Sequence, residues 1–342
     1  MSDPTSVKKP HVAAIDKQWL DLTREAAVEP TLPIIDSHIH LWDFSDPPYF
    51  GNDFVSDAAG GHDVQASVYV ECTMAYALDG DTALRPVGET RFAVEQALAH
   101  STPRLQLAAA ILGAADLSLG ADVRAVLEAQ EAAGQGRWRG VRVRAAWDAD
   151  PVAGYGVHGA PKGSMLSPEF RQGVKCLASK GMVLEIWAFH TQMDEVVDLA
   201  RAFPDQTIVV NHVGGPLGVG PYAGRRDEVY ADWAAAMRRV GTCPNVHVKL
   251  GGLGISRAGF EFDKLPRPLS SDELAQAWGR YVQVCIEAFT PKRAYFGSNF
   301  PVDKAVCHYG VLLNAFKKMT AAYSADERRA MFAGNARALY RL

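Results

Sequence analysis

The sequence predicts an α/β protein built as a single (β/α)8 TIM barrel with long loops after strands 4 and 7. Three observations lead there. From residue 32 onward, short β-branched runs alternate with longer amphipathic segments, the pattern of a parallel sheet covered by helices. Eight such runs can be counted, the number that closes a barrel. The 342 residues contain no low-complexity tract and no linker, at a length that α/β barrels reach as one domain.

Residues 1–31 form a polar arm without the apolar core of a signal peptide, with a short helix expected around Trp19. The barrel is assigned to 32–342. Its strands are expected in "PIIDSHIH" (33–40), "QASVYVEC" (65–72), "LQLAAAIL" (105–112) and "RGVRVRAAW" (139–147), then "MVLEIWAFH" (182–190), "TIVVNHV" (207–213), "NVHVKLGG" (245–252) and "RAYFGSNF" (293–300). The third is alanine-rich and also reads as helix. Helices are expected in "ADVRAVLEAQEAAG", "TQMDEVVDLARAF", "VYADWAAAMRRV" and "SDELAQAWGRYVQVCIEAF". Ser271 and Asp272 are read as opening the last of these, and Gly134 and Gly181 as following helix ends. The long Gly- and Pro-rich connections are 148–168 and 251–270, both leaving C-terminal strand ends, where barrel active sites form.

Composition narrows the function. With 48% hydrophobic and 22% charged residues and a net charge of −4, the chain is an ordinary globular one with no basic field for nucleic acid or an anionic membrane. No apolar run reaches the ~20 residues that span a bilayer. The five scattered cysteines argue for reduced thiols in the cytoplasm and against a disulfide framework. Neither a G-x-G-x-x-G nor a P-loop is present. A small-molecule substrate is the partner expected, with a homo-oligomer left open.

Side chains two apart share a face of a strand. Ile34, Asp36, His38 and His40 are therefore expected on one face, with Ile35, Ser37 and Ile39 turned to the helices. Two imidazoles at the barrel mouth suit one divalent metal. His190 and His212 end the fifth and sixth strands, and Asn299 and Asp303 follow the eighth, so rings and a carboxylate arrive at one rim. His158 lies in the loop above it. On the fourth strand, Arg142 and Arg144 share the inward face. Buried guanidiniums need anions, either internal carboxylates such as Glu71 or Glu185, the better reading for Arg142, or a substrate carboxylate, for which Arg144 is the clamp. Lys249 assists or pairs with a neighbour. Trp42, Trp147 and Trp187 are placed to wall a cyclic substrate or to pack the core.

"IDSHIHLWD", "NHVGGP", "VKLGG" and "YFGSNFPVD", in this order, resemble the amidohydrolase superfamily. The similar branch is the amidohydrolase-related (amidohydrolase 2) group with sugar lactonases, sulfomuconolactone hydrolases and 2-pyrone-4,6-dicarboxylate lactonase. The resemblance implies that His38, His40 and His190 are metal ligands and that His212 polarises substrate or helps with proton transfer. The eighth-strand acid of the superfamily is replaced here by Asn299, and an amide is no general base. Asp303 or Glu71 is then the carboxylate available for that duty, with Asn299 left to position water or substrate.

The expectation is a metal-dependent hydrolase, a lactonase opening a small cyclic ester, with one divalent ion, zinc ahead of manganese. A metal-independent lactonase using His212 and the arginines, a decarboxylase or hydratase of an aromatic-derived acid, and a catalytically silent scaffold are the alternatives.

Overall fold

The computed structural model describes residues 15–155 and 159–342, so His158 and His11 lie outside the described residues. Eight parallel strands pair in chain order, β1 (Pro33–Ile39), β2 (Asp63–Val70), β3 (Gln106–Gly113), β4 (Trp138–Arg144), β5 (Val183–Trp187), β6 (Ile208–Val210), β7 (Val246–Lys249) and β8 (Ala294–Tyr295). The ring closes where Ile39 bridges Phe300 in parallel and the His40 amide donates to the Phe300 carbonyl at 2.8 Å. This is the (β/α)8 barrel that the alternation predicts.

Eleven helices are described, α1 (Lys17–Leu20), α2 (Gly51–Ala58), α3 (Val87–His100), α4 (Val123–Ala133), α5 (Pro168–Ser179), α6 (Met193–Ala202), α7 (Arg226–Gly241), α8 (Ser271–Arg293), α9 (Tyr309–Met319), α10 (Ala325–Arg329) and α11 (Asn335–Tyr340). The N-cap of α8 is Ser270 rather than Ser271. Its hydroxyl accepts from the Glu273 amide at 3.3 Å while the Glu273 carboxylate accepts from the Ser270 amide at 2.7 Å, a reciprocal capping box. None of the described helices is long and apolar enough to cross a membrane. All five cysteines are free and buried.

The alanine-rich run forms strand β3 despite the helix preference of alanine, because tertiary packing overrides propensity. Ala110 and Leu112 join Ile35, Val68, Val183, Val209 and Tyr295 in one cluster drawn from strands on all sides of the ring, which places it on the barrel axis. Small side chains fit that crowded axis. Helix α11 seals the same cluster with Ala336 and Tyr340.

Ile35 therefore faces the axis, not the helices as strict alternation predicts. The cause is an irregularity in β1. Its register with β2 shifts between Asp36 and Ile39, which re-aims the side chains beyond it. Asp36 turns outward and accepts from the Tyr309 hydroxyl of α9 at 2.9 Å. Ile39 packs in the outer core with the helices, as expected. His38 and His40 still end up inside.

The arm straps across the barrel. Glu25 accepts from the Ser271 amide at 2.7 Å and Asn314 Nδ2 at 3.0 Å, and the Lys317 ammonium donates to the Val28 and Glu29 carbonyls, both at 2.8 Å.

Candidate active site

Three imidazoles meet inside the mouth of the barrel. His38 Nε2 and His40 Nε2 lie 3.2 Å apart, and the His38 and His212 ring centroids are separated by 4.4 Å. The outer nitrogen of His40, Nδ1, is 2.8 Å from the Val70 carbonyl. The His212 ring has the Gly251 backbone as its partner. Gly252 beside it is a positional necessity, since a Cβ there would stand 2.0 Å from His212 Nδ1. Burial, reinforced by neighbouring cations, keeps all three rings neutral. His40 is pushed down to about 3, and His38 and His212 lie well below the usual imidazole range.

The cations are Arg142, Arg144 and Lys249. Glu71, at the end of β2, accepts from Arg144 through both oxygens, Nε to Oε1 at 3.0 Å and Nη2 to Oε2 at 2.8 Å. Arg142 Nε stands 2.8 Å from Oε1 as an ion pair without hydrogen-bond alignment, and its Nη2 donates to the Glu71 carbonyl. Burial works to raise the Glu71 carboxyl, yet the two guanidiniums outweigh it and hold the group ionised. Both Glu71 oxygens are thus engaged by the two arginines. Arg144, expected to clamp a substrate carboxylate, already has its carboxylate. Arg142 pairs internally as expected, and its charge acts on all three histidines.

Lys249 is buried beside Glu185, Nζ to Oε1 at 2.7 Å, and donates to the Ser37 carbonyl at 2.6 Å. Its Nζ is also 3.4 Å from His38 Nδ1. It faces the first-strand histidine and a protein carboxylate, so the pairing alternative describes it. Trp42 stacks on His40 at 5.6 Å and backs that ring. Trp187 meets His212 edge-on at 4.9 Å.

His190 stands apart. It opens the turn after β5, its ring packs against Tyr222 at 5.7 Å, and the charges acting on it are Asp232 and Asp148. Its buried Nδ1 has no hydrogen-bond partner among the described residues. After Phe189 the chain enters a helical turn, and no contact between His190 and the His38–His40 pair occurs among the described residues' hydrogen bonds and ring contacts. Among the described residues no three His, Cys, Asp or Glu side chains are grouped to hold a metal ion. The chemistry of the donor set agrees. Three rings meet in the mouth, but with His38 facing an ammonium, two guanidiniums nearby and the adjacent carboxylate already paired, the set does not fit the single ion expected from the sequence.

Asn299 adopts a left-handed backbone, φ 59°, that asparagine tolerates, and its amide donates to the His38 carbonyl at 2.8 Å. Its side-chain Nδ2 donates to Asp303 Oδ1 at 2.8 Å, while Asp303 Oδ2 accepts from the Gly254 amide at 3.1 Å. Burial raises Asp303 to about 7 despite these bonds.

A cleft of about 490 Å³ opens beside Arg142 and Arg144, with Thr73, Tyr76, Asp116, Ser118 and Ser164 as further polar lining. A cavity of about 10 Å³, near the size of one water, sits against His212, Gly252 and Arg257. Two residues that sequence reasoning missed shape these spaces. Glu89, buried on α3, accepts from the amides of Cys72, Thr73 and Met74 and so pins the loop that carries Thr73 and Tyr76. Arg257 donates to the Ala153 and Gly154 carbonyls at 3.1 and 3.0 Å, stapling the loop after β7 to the loop after β4. Neither stands in a motif. Glu89 looks like one polar residue in an amphipathic helix, and Arg257 like any loop arginine.

Known proteins resemble the chain along most of its length. A family profile described as Amidohydrolase matches residues 35–342. An uncharacterized protein of Sinorhizobium fredii, y4mH, is 33% identical over 91% of this chain and 99% of its own length. An L-fucono-1,5-lactonase of Burkholderia multivorans is 27% identical over 90% of this chain and 96% of its own. Among solved structures, an amidohydrolase of Burkholderia multivorans with bound zinc superposes with a TM-score of 0.70 at 23% identity, covering 91% of this chain and 99% of that one, a likeness of fold.

Proposed function

The chain belongs to the amidohydrolase family and is a hydrolase, and from that premise we propose that it is a lactonase for an uncharged, hydroxyl-bearing cyclic ester, working through its own side chains. The observation that carries this reading is the set of three neutral imidazoles whose shared cation, Arg142, itself lines the cleft that holds several hydroxyl groups. The similarity to an L-fucono-1,5-lactonase supports the same class of substrate. The Glu71 pairing supports an uncharged ring, because it leaves Arg144 no unmet demand for a carboxylate.

Ring opening needs a polarised carbonyl, an activated water and a proton for the departing ring oxygen. Arg142 supplies positive charge toward the carbonyl oxygen as it becomes an oxyanion. Asp303, held near neutrality, takes the proton of the attacking water and returns it to the ring oxygen as the C–O bond breaks. Asp303 and His212 neighbour one another through Gly252, whose amide bonds Asp303 and whose Cα side touches His212. Asn299 holds Asp303 in place. His212, anchored on Gly251, directs its second nitrogen at the water.

The test is proton release from a panel of sugar-acid 1,5- and 1,4-lactones and their carboxylated analogues, with and without prior chelation. Neutral polyhydroxylated lactones should open, and chelation should leave the rate unchanged. Loss of activity on chelation, restored by zinc, would overturn the metal-free route. Turnover of aromatic acids with no lactone opened would favour the decarboxylase alternative.

A further inference from the structure

We propose that Lys249 is a positioning residue that fixes the ring proton of His38 and thereby keeps the first-strand histidine pair from taking a divalent cation. The inference deepens the reading of this mouth as the reacting site and rests on it. An ammonium offers three protons and no lone pair. Those of Lys249 are shared among the Ser37 carbonyl at 2.6 Å, the two oxygens of the Glu185 carboxylate at 2.7 and 2.8 Å and, at longer range, His38 Nδ1 at 3.4 Å. A ring N–H at His38 Nδ1 would set two donors head to head, so that nitrogen carries the lone pair and the proton sits on Nε2.

The other end of the pair is fixed by the same logic. The Val70 carbonyl only accepts, so His40 carries its proton on Nδ1, 2.8 Å away, and its Nε2 is a lone pair. The 3.2 Å contact between the two Nε2 atoms is then a donor meeting an acceptor. A shared metal needs lone pairs on both. His38 can supply one only by moving its proton to Nδ1, against Lys249.

Lys249 has no room to step aside. It is 1% exposed and Glu185 is fully buried. Glu185 is itself held by Asn211 Nδ2 at 2.8 Å and by the Tyr340 hydroxyl, and the Tyr340 ring lies 5.5 Å from the ammonium. Outer partners of this kind tune metal affinity by roughly 10- to 100-fold when they favour the metal-binding tautomer. Here the partner favours the opposite one.

The experiment has two parts. Histidine-selective 15N NMR on the wild-type protein should show His38 protonated at Nε2 and His40 at Nδ1. Zinc titration of metal-stripped protein, followed by elemental analysis, should then show a gain of roughly 10- to 100-fold in affinity for Lys249→Met over wild type. Should Lys249→Met leave Glu185 too costly to bury, Lys249→Met combined with Glu185→Gln removes both charges and should show the same gain. His38 protonated at Nδ1, wild-type protein retaining an equivalent of zinc, or folded variants without the gain would each overturn the proposal. Correct tautomers and zinc gain in a protein that opens no lactone would instead overturn the function and leave this inference standing.

Discussion

At the scale of single residues, the arginines and acids of the mouth divide their duties by what each already touches. Arg142 is the cation shared by all three imidazoles, so Arg142→Met should lower kcat by about 10²- to 10³-fold, the cost of removing one charge-stabilising donor. Circular dichroism should show the fold retained, since Arg144 still neutralises Glu71 through two bonds. Asp303 is the acid lifted to about 7 by burial. A base must be ionised to accept a proton, so activity should be low at acid pH and rise through about 7. Asp303→Asn should abolish that rise and most of the rate, measured as kcat/KM against pH. A wild-type profile flat across neutrality would remove Asp303 from the mechanism.

At the scale of elements, the fold was legible because each strand carries its own apolar run and each helix its own period. The eight strands lie where alternation places them, to within a few residues at each end. Two local features were not legible. The register shift in β1 depends on pairing with β2, which leaves no mark on composition, so Ile35 and Asp36 were assigned to each other's faces. The cap of α8 lies one residue earlier than read because Ser270, Ser271 and Asp272 all carry capping side chains, and which one caps is decided by the reach of Glu273. That cap is a measurable stabiliser. Ser270→Ala should cost about 1 kcal/mol, seen as a lower urea midpoint at unchanged slope.

At the scale of the whole molecule, the site was half legible. The histidines of the first and sixth strands and the arginines of the fourth could be assigned to the axis from strand ends alone, and they meet there. What a sequence does not show is who answers whom. Glu71 and Arg144 satisfy each other across two strands, Lys249 reaches the first strand from the seventh, and His190 packs on Tyr222 from a helical turn. These are facts of ring closure and loop path, decided by distance in space.

The seal made by Tyr340 has a consequence for how variants of this protein should be sorted. Its hydroxyl grips Glu185, Glu185 grips Lys249, and Lys249 faces His38, so one column of contacts runs the height of the barrel from floor to mouth. A survey that grades positions by their separation from bound ester would file Tyr340 among the distant and harmless. Traced along that column it is an adjoining rung, and disturbance at the bottom of the molecule is felt as altered chemistry at the top.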